Sequence, residues 1–340
     1  MASPLYFYTL DVFTSTPFLG NPLGLVVVPA SQTSTLTQGS KQRIAREFNL
    51  SETVFLHLAP GETLSAPDAS LPARRLDIFT IESELPFAGH PTIGTAFFVL
   101  RHLRWAHVTT LQTKAGPICI EAVGGAGGTG AVRATIPHDV HVHARTLRDV
   151  EAADPAAFAG LVRPALSADP ALAEAELDAP LVSIVRGMTF ALVRLPGAAD
   201  LAGVSAARRL DFGALGTKLL DEGPWAESFV ARYYYAPAAE GESEGGGQAG
   251  KVRLRSRMVE LSFEDPATGS AACTLSSYLA LKGQGAKGRL GVEITQGVEM
   301  GRKSDIEVEV AAEGEGESRK VTEVFLGGEA VVVMKGELQQ

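Results

Sequence analysis

Two short segments of this chain are variants of one pattern, and they lie about half the chain length apart. Residues 89–96 have the sequence GHPTIGTA, and residues 264–271 have the sequence EDPATGSA. Proline, glycine and alanine recur at the third, sixth and eighth positions, and an apolar stretch follows each segment. A weaker match, GNPLGLVVV from Gly20 against GMTFALVRL from Gly187, occurs in the same order. The repeat predicts two related domains of similar topology. Chance similarity between short strings rich in glycine and alanine is the alternative.

The remaining segments favour strands over helices. This balance predicts an α+β fold rather than an alternating βαβ sheet. A helix is expected from Pro91 to about Leu103, and another is expected to begin with Ser40 as its N-cap. We predict two pseudo-symmetric domains, residues 1–128 and 129–340, each a barrel-like rolled sheet around a central apolar helix. The GGAGGTG segment is expected to connect the two domains. The last strand of the chain is able to pair with the first domain.

Composition narrows the class of protein. Of the 340 residues, 45% are apolar and 20% are charged, and the net charge is −9. There is no basic stripe, so a nucleic-acid partner is not expected. The N-terminal MASPLYFYTLDVF has the pattern of a strand rather than of a signal peptide, and no apolar run is long enough to span a bilayer. Two cysteines, Cys119 and Cys273, suit a reducing compartment. We therefore expect a cytoplasmic protein without a membrane partner.

The repeat also suggests a site. In its register His90 matches Asp265, and each residue precedes a proline, Pro91 or Pro266, that we place in the first turn of a helix. Free N–H groups and the positive end of the helix dipole attract a carboxylate. We expect the two helix N-termini to face one cleft that holds His90 on one side and Asp265 and Ser270 on the other.

Glu52, in the segment NLSETVFL, is the candidate proton carrier. It lies between a predicted helix and an apolar strand, where loss of solvent would raise the pKa of its carboxyl toward the range useful for acid–base catalysis. The alternative is a solvated glutamate or one that caps a helix.

Two other motifs have simpler interpretations. The histidines of PHDVHVH, residues 137–143, have no cysteine or glutamate nearby to complete a site, so no metal is predicted there. RLRSR places Arg253, Arg255 and Arg257 on one face of a strand. That face is either solvated or, in the alternative, contacts an anionic substrate.

Five blocks together resemble the PhzF phenazine-biosynthesis family of the diaminopimelate-epimerase-like fold. They are DVFTSTPFLGNPLGLVV, IAREFNLSETVFL, IFTIESELPFAGHPTIGTA, EDPATGSAACTLSSYL and ITQGVEMGRKSDIEV, and they span nearly the whole chain in family order. The resemblance implies two similar domains with the active site between them. It also implies an isomerase that needs no cofactor and that commonly forms a homodimer.

The resemblance assigns roles to residues of this chain. Glu52 is expected to move the proton, and His90, Asp265 and Ser270 to position a carboxylate-bearing small molecule and assist the transfer. Substrate binding is expected from residues at the two helix starts, namely Gly89, Pro91, Thr92, Thr268, Gly269 and Ala271.

Some features depart from the family pattern. Residues 79–81 read FTI where members usually have FTP, and the segment before EDP reads RLRSRMVELSF. Because this segment differs from the family pattern, the resemblance does not identify the substrate. The two repeated segments, residues 89–96 and 264–271, form the chain turns that we call the corners. They lack the paired cysteines of related racemases, which disfavours a two-thiol mechanism. We expect a cofactor-independent isomerase. The alternatives are a non-catalytic ligand-binding member and an epimerase or cyclase of a secondary-metabolite pathway.

Overall fold

The chain forms two compact units in the computed structural model, which describes residues 4–124, 130–205, 210–239, 251–260 and 263–339. Unit 1 comprises Met1–Ile136, Arg302–Asp305 and Phe325–Gln340, and unit 2 comprises Pro137–Gly301 and Ile306–Val324. The domain boundary expected after residue 128 falls within 125–129, outside the described residues, and stays a prediction.

Strands make up most of both units. The strands before the unit boundary are β1 Leu5–Val12, β2 Asn21–Val28, β3 Thr53–His57, β4 Ala73–Phe79, β5 Glu84–Leu85, β6 Thr110–Thr113, β7 Gly116–Ala122 and β8 Val132–Thr135. The later strands are β9 His141–Val142, β10 Leu181–Val185, β11 Met188–Arg194, β12 Phe229–Pro237, β13 Val252–Glu260, β14 Phe263–Asp265, β15 Arg289–Gln296, β16 Ser304–Glu313, β17 Lys320–Gly328 and β18 Ala330–Leu338. The α-helices are α1 Gln38–Phe48, α2 Gly89–Phe97, α3 Leu147–Ala153, α4 Pro155–Ala157, α5 Pro170–Leu177 and α6 Gly269–Leu281.

The two units pair their strands in the same sequence of steps. In unit 1, β1–β2 is antiparallel, β2–β3 parallel, β3–β4 antiparallel, β4–β5 antiparallel and β4–β6 parallel. In unit 2 the same five steps join β10–β11, β11–β12, β12–β13, β13–β14 and β13–β15. The repeated segments follow the equivalent strands β5 and β14. This correspondence confirms two pseudo-symmetric α+β domains.

In unit 1 the sheet surrounds α2. The helix packs against β1, β2, β3, β7, β8 and β18, and every residue from Gly89 to Ala96 is buried. A methyl group at Gly94 would lie 2.5 Å from Leu23 Cδ2 and 2.8 Å from Val12 Cγ2. Only glycine permits this approach. The C-terminal strand β18 pairs with β1, so the end of the chain completes the first sheet.

Unit 2 has the same plan with an added helical layer. The central helix α6 contacts β10, β11 and β15 and is buried along most of its length. The alanine-rich segment forms α3–α5, whose apolar side chains form one cluster with residues of β10–β12. Strand β12 is therefore buried on both faces from Val230 to Ala236.

Two local expectations are wrong. Thr37, not Ser40, is the N-cap of α1, and its hydroxyl accepts the Ser40 N–H. Pro91 does lie in the first turn of α2, but Pro266 lies before α6, which begins only at Gly269. The two corners thus share residues but start their helices at different points. Over the described ranges, no helix has both the length and the apolar character needed to cross a membrane.

Candidate active site

Glu52 lies in the short connection between α1 and β3. Helix α1 ends at Phe48, and its C-cap Asn49 has a left-handed backbone (φ 52°) that turns the chain toward the strand. The Glu52 side chain is only 17% exposed. Burial raises the pKa of its carboxyl from 4.5 to about 6, partly offset by a hydrogen bond with Ser51. This pKa is close to neutral pH, as a proton-transfer group requires.

His90 faces this carboxyl. Its Nδ1 lies 3.6 Å from Glu52 Oε2 and 3.5 Å from the amide Nδ2 of Asn21, the first residue of β2. Asn21 can donate to Nδ1 when that nitrogen is unprotonated, and a protonated Nδ1 can approach the carboxylate. The ring therefore has one partner suited to each protonation state. Asn21 was missed in the sequence analysis, although it belongs to the GNP motif of the repeat.

An ion pair and its hydrogen bonds fix the loop before Asn21. Asp11 accepts the Phe18 N–H at 2.6 Å and the Arg302 guanidinium at 2.8 Å. The same guanidinium donates to the carbonyls of Phe18 and Gly20. A methyl group at Gly20, where φ is +69°, would lie 2.4 Å from the Val12 carbonyl oxygen. These contacts hold the start of β2, and with it Asn21.

The first turn of α2 offers backbone groups rather than side chains. Its N-terminus has no side-chain cap. The Thr92 hydroxyl donates to the Ala88 carbonyl at 2.7 Å, so this side chain is engaged within the helix. Gly89 and Pro91 are buried. The N-terminal end of α2 therefore presents backbone groups, while these side chains are buried or engaged within the helix.

The corner before α6 is held by a glutamine. Gln296, the last residue of β15, is fully buried. Its amide donates to the Asp265 carbonyl and to Thr268 Oγ1, and its oxygen accepts the Thr268 N–H and the Tyr233 hydroxyl. The Thr268 hydroxyl in turn donates to the Asp265 carboxylate at 2.5 Å. Gln296 was not predicted, although it lies in the ITQG block that resembles the family.

Ser270 is the second residue of α6 and is partly exposed, whereas Gly269 and Ala271 are buried. The N-cap, Thr268, makes no side-chain capping bond to the helix, because its hydroxyl is committed to Asp265. Cys273 lies in the same helix and is fully buried, and burial raises the pKa of its thiol. It is not available as a thiolate, in agreement with the expectation against a two-thiol mechanism.

Residues 253–260 of the altered segment lie in β13, where Arg255 and Arg257 are buried and Arg253 is partly exposed. Arg257 binds Glu264 through two hydrogen bonds of 2.7 Å. Arg255 pairs with Glu299 at 2.8 Å. The solvated-face interpretation is therefore wrong for these two residues. Because Glu264 precedes Asp265, the Arg257 pair helps to position the corner.

A third potential metal ligand, which the sequence did not indicate, lies beside His141 and His143. Asp221 brings a carboxylate within 4.8 Å of both rings, which is a possible metal-ligand set. Both nitrogens of His143 are occupied, since Nε2 bonds Ser183 and Nδ1 accepts the Asp221 N–H. Burial lowers the pKa of His143 to about 4, so this ring is neutral near pH 7. The cluster is accounted for by its own hydrogen bonds, and the absence of a metal here stays a prediction.

The structure thus brings Glu52 and His90 together in unit 1. It gathers Asp265 and Thr268 at one corner of unit 2, with Ser270 two residues further on.

The family profile described as "Phenazine biosynthesis-like protein" matches residues 10–170 and 250–336. The chain belongs to this family.

Known members extend this assignment. The chain is 31% identical over 339 residues to a trans-2,3-dihydro-3-hydroxyanthranilate isomerase of Pseudomonas chlororaphis, covering 98% of this chain and 99% of that protein. A crystal structure of a PhzF-family protein from Bacillus anthracis superposes with a TM-score of 0.67 at 21% identity over all of both chains. A predicted epimerase from Pseudomonas aeruginosa has a TM-score of 0.60 at 26% identity, covering 99% of this chain and all of the other. The diaminopimelate-epimerase-like fold is confirmed, and the protein is an isomerase.

Proposed function

We propose that this isomerase moves a proton on a small carboxylate-bearing metabolite, with Glu52 as the general acid and base and without a cofactor. The observation that carries the proposal is the buried Glu52 carboxyl, with a pKa of about 6, beside His90. With this pKa, about ten carboxylates are ionised for each one protonated at pH 7. Glu52 can therefore accept a proton readily and return it without a large energetic cost.

His90 would assist this transfer. With Nδ1 unprotonated, the ring accepts from Asn21 and leaves Glu52 free to act as the base. With Nδ1 protonated, the ring stabilises the carboxylate that forms when Glu52 releases its proton. His90 therefore orients the carboxyl when its Nδ1 is protonated and releases it when Nδ1 is not.

The substrate carboxylate would bind at the helix N-termini. The start of α2 has no side-chain cap, and at the start of α6 the Thr268 hydroxyl is committed elsewhere. Backbone N–H groups at such ends bind anions well. The substrate-positioning roles that the resemblance implies for Asp265 and Ser270 stay a prediction. The homodimer implied by the resemblance stays a prediction.

The substrate class rests on the relatives. One is named for isomerisation of trans-2,3-dihydro-3-hydroxyanthranilate, a carboxylate-bearing ring compound. We propose a substrate of this chemical class, without assuming the same compound, because the β13 segment differs. An epimerase or cyclase of a secondary-metabolite pathway would use the same acid–base pair. A thermal-shift screen of small carboxylates would identify the ligand.

The test is solvent-deuterium incorporation into a carboxylate that the screen shows to bind. Native protein should exchange a substrate C–H for deuterium, whereas Glu52→Gln should bind the compound and reduce exchange by about two orders of magnitude or more. Exposed Glu47, in the last turn of α1, provides the matched control, and Glu47→Gln should leave exchange unchanged. Exchange at the native rate in Glu52→Gln would refute the role of Glu52. Binding without any exchange in the native protein would favour the non-catalytic alternative.

A further inference from the structure

Unit 2 contains a cavity that the proposed chemistry does not use. It has a volume of about 550 Å³ and lies at the C-terminal end of α6, bounded by the ends of β11 and β12 and the start of β13. Ligand sites in proteins usually fall between about 300 and 1,000 Å³. Most of its wall is apolar, with Leu192, Leu254 and Leu279 among the lining residues. The cavity is therefore of the size and character that suit a small organic molecule.

The charged groups of the lining are predominantly positive. Three cations contribute, namely Arg194, Arg253 and Lys282, against one carboxylate, Asp178. Asp178 is already paired with Arg148, and Arg253 with Glu293. Within the described ranges, Arg194 makes no ion pair or hydrogen bond, and Lys282 makes no ion pair and lies over the Tyr278 ring. Two positive charges at this cavity thus lack a carboxylate partner among the described residues.

Two tyrosines add polar groups to the same wall. The Tyr235 ring is buried, and the cation that acts on its hydroxyl is Arg194. Tyr278 is half-buried and forms one side of the Lys282 contact. Neither hydroxyl has a hydrogen-bond partner in the part of the chain that the structure describes. A tyrosine hydroxyl beside a cation is a common way to orient a carboxylate within an apolar pocket.

Two cations at the C-terminal end of α6 reduce the repulsion that the helix dipole would exert on an anion in the cavity. A helix C-terminus carries a partial negative charge, which by itself would repel one. Here Lys282 is the C-cap, and Arg319 donates to the Ala280 carbonyl at 2.7 Å. These two cations offset the dipole.

The cavity is also distinct from the proposed catalytic corner. Ser270 and Lys282 are twelve residues apart in sequence on and just beyond α6, which corresponds to about 18 Å at 1.5 Å per residue. Asp265 and Thr268 precede the helix and lie at the same end as Ser270. One ligand of ordinary size does not reach both ends.

We propose that this cavity is a second ligand site, which binds a small organic anion with an aromatic or otherwise apolar body. Arg194 and Lys282 bind the anionic group, Tyr235 and Tyr278 orient it, and the leucines enclose the apolar body. The site is independent of the catalytic proposal, because none of its residues belongs to the catalytic corners.

The test uses 2-naphthoate as the probe and its uncharged analogue 2-naphthamide as the comparison. Binding to the full-length protein is measured by titration calorimetry. The native protein should bind naphthoate at least about tenfold more tightly than naphthamide, because charge-assisted hydrogen bonds to the anion are lost in the amide. The double variant Arg194→Met with Lys282→Met should lose at least about tenfold in naphthoate affinity and little in naphthamide affinity.

Two further variants serve as controls. Exposed Lys287, five residues beyond Lys282, does not line the cavity, so Lys287→Met should bind naphthoate as the native protein does. The charge-conserving pair Arg194→Lys with Lys282→Arg should restore most of the affinity. Failure of the native protein to bind naphthoate, equal affinity for the amide, or unchanged affinity in the methionine pair would each overturn the proposal. The last result would place the bound naphthoate elsewhere, for example at the catalytic corners.

Discussion

Replacing Glu52 with glutamine should stabilise the protein at neutral and alkaline pH, even though it removes the proposed catalytic group. The reason is that the folded protein holds this carboxyl in a buried position, where its ionised form is disfavoured. Glutamine has nearly the same shape and carries no charge, so the variant avoids that cost. Catalytic groups often lower the free energy of unfolding of a protein in this way.

The magnitude follows from the pKa. A rise from 4.5 to about 6 corresponds to about 2 kcal/mol between the two protonation states. Because the folded pKa is raised, the stabilising contribution of the protonated carboxyl is complete below about pH 4.5 and is lost as the pH rises through about 6. The free energy of unfolding of Glu52→Gln, minus that of the native protein, should therefore increase by about 2 kcal/mol in total as the pH rises from well below 4.5 to well above 6.

Urea unfolding at a series of pH values would measure this difference. Most of the increase should occur between about pH 4.5, the pKa in the unfolded chain, and about pH 7, one unit above the folded pKa of about 6. Glu47→Gln serves as the control, because Glu47 is exposed on α1. A difference for Glu52→Gln that stays constant, or that falls with rising pH, would show that the carboxyl is not destabilised by burial.

Three other substitutions test the framework around the corners. Gly94→Ala should destabilise unit 1 by about 1–3 kcal/mol in thermal unfolding, because its methyl group would overlap Leu23, and an unchanged melting temperature would contradict the packing. Gln296→Leu should leave the Thr268 N–H without its acceptor and reduce stability by about 1–3 kcal/mol, and it should also slow solvent-deuterium exchange into the substrate. Arg257→Met should cost about 3–5 kcal/mol in urea unfolding by leaving a buried carboxylate unpaired, and a loss below about 1 kcal/mol would show that the pair is dispensable.

Much of the fold could be predicted because the relevant signals are local. The apolar, glycine-containing segments after the two corners specify buried helices, and β-branched runs such as GLVVV specify buried strands. The repeat by itself relates the two halves of the chain. Helix starts are not specified locally, because capping depends on which hydroxyl meets which N–H. Thr37 rather than Ser40 caps α1, and Pro266 remains outside α6.

The sequence by itself determined the family, the two-domain plan and the identity of the candidate acid–base residue. Only the tertiary structure decided the properties of these residues. Glu52 acquires a raised pKa because the fold removes solvent around it. The fold also places His90, distant along the chain, beside this carboxyl. Gln296 becomes the residue that holds the second corner because β15 ends next to Asp265. Desolvation and hydrogen bonding depend on distances between segments far apart in sequence, and folding sets those distances.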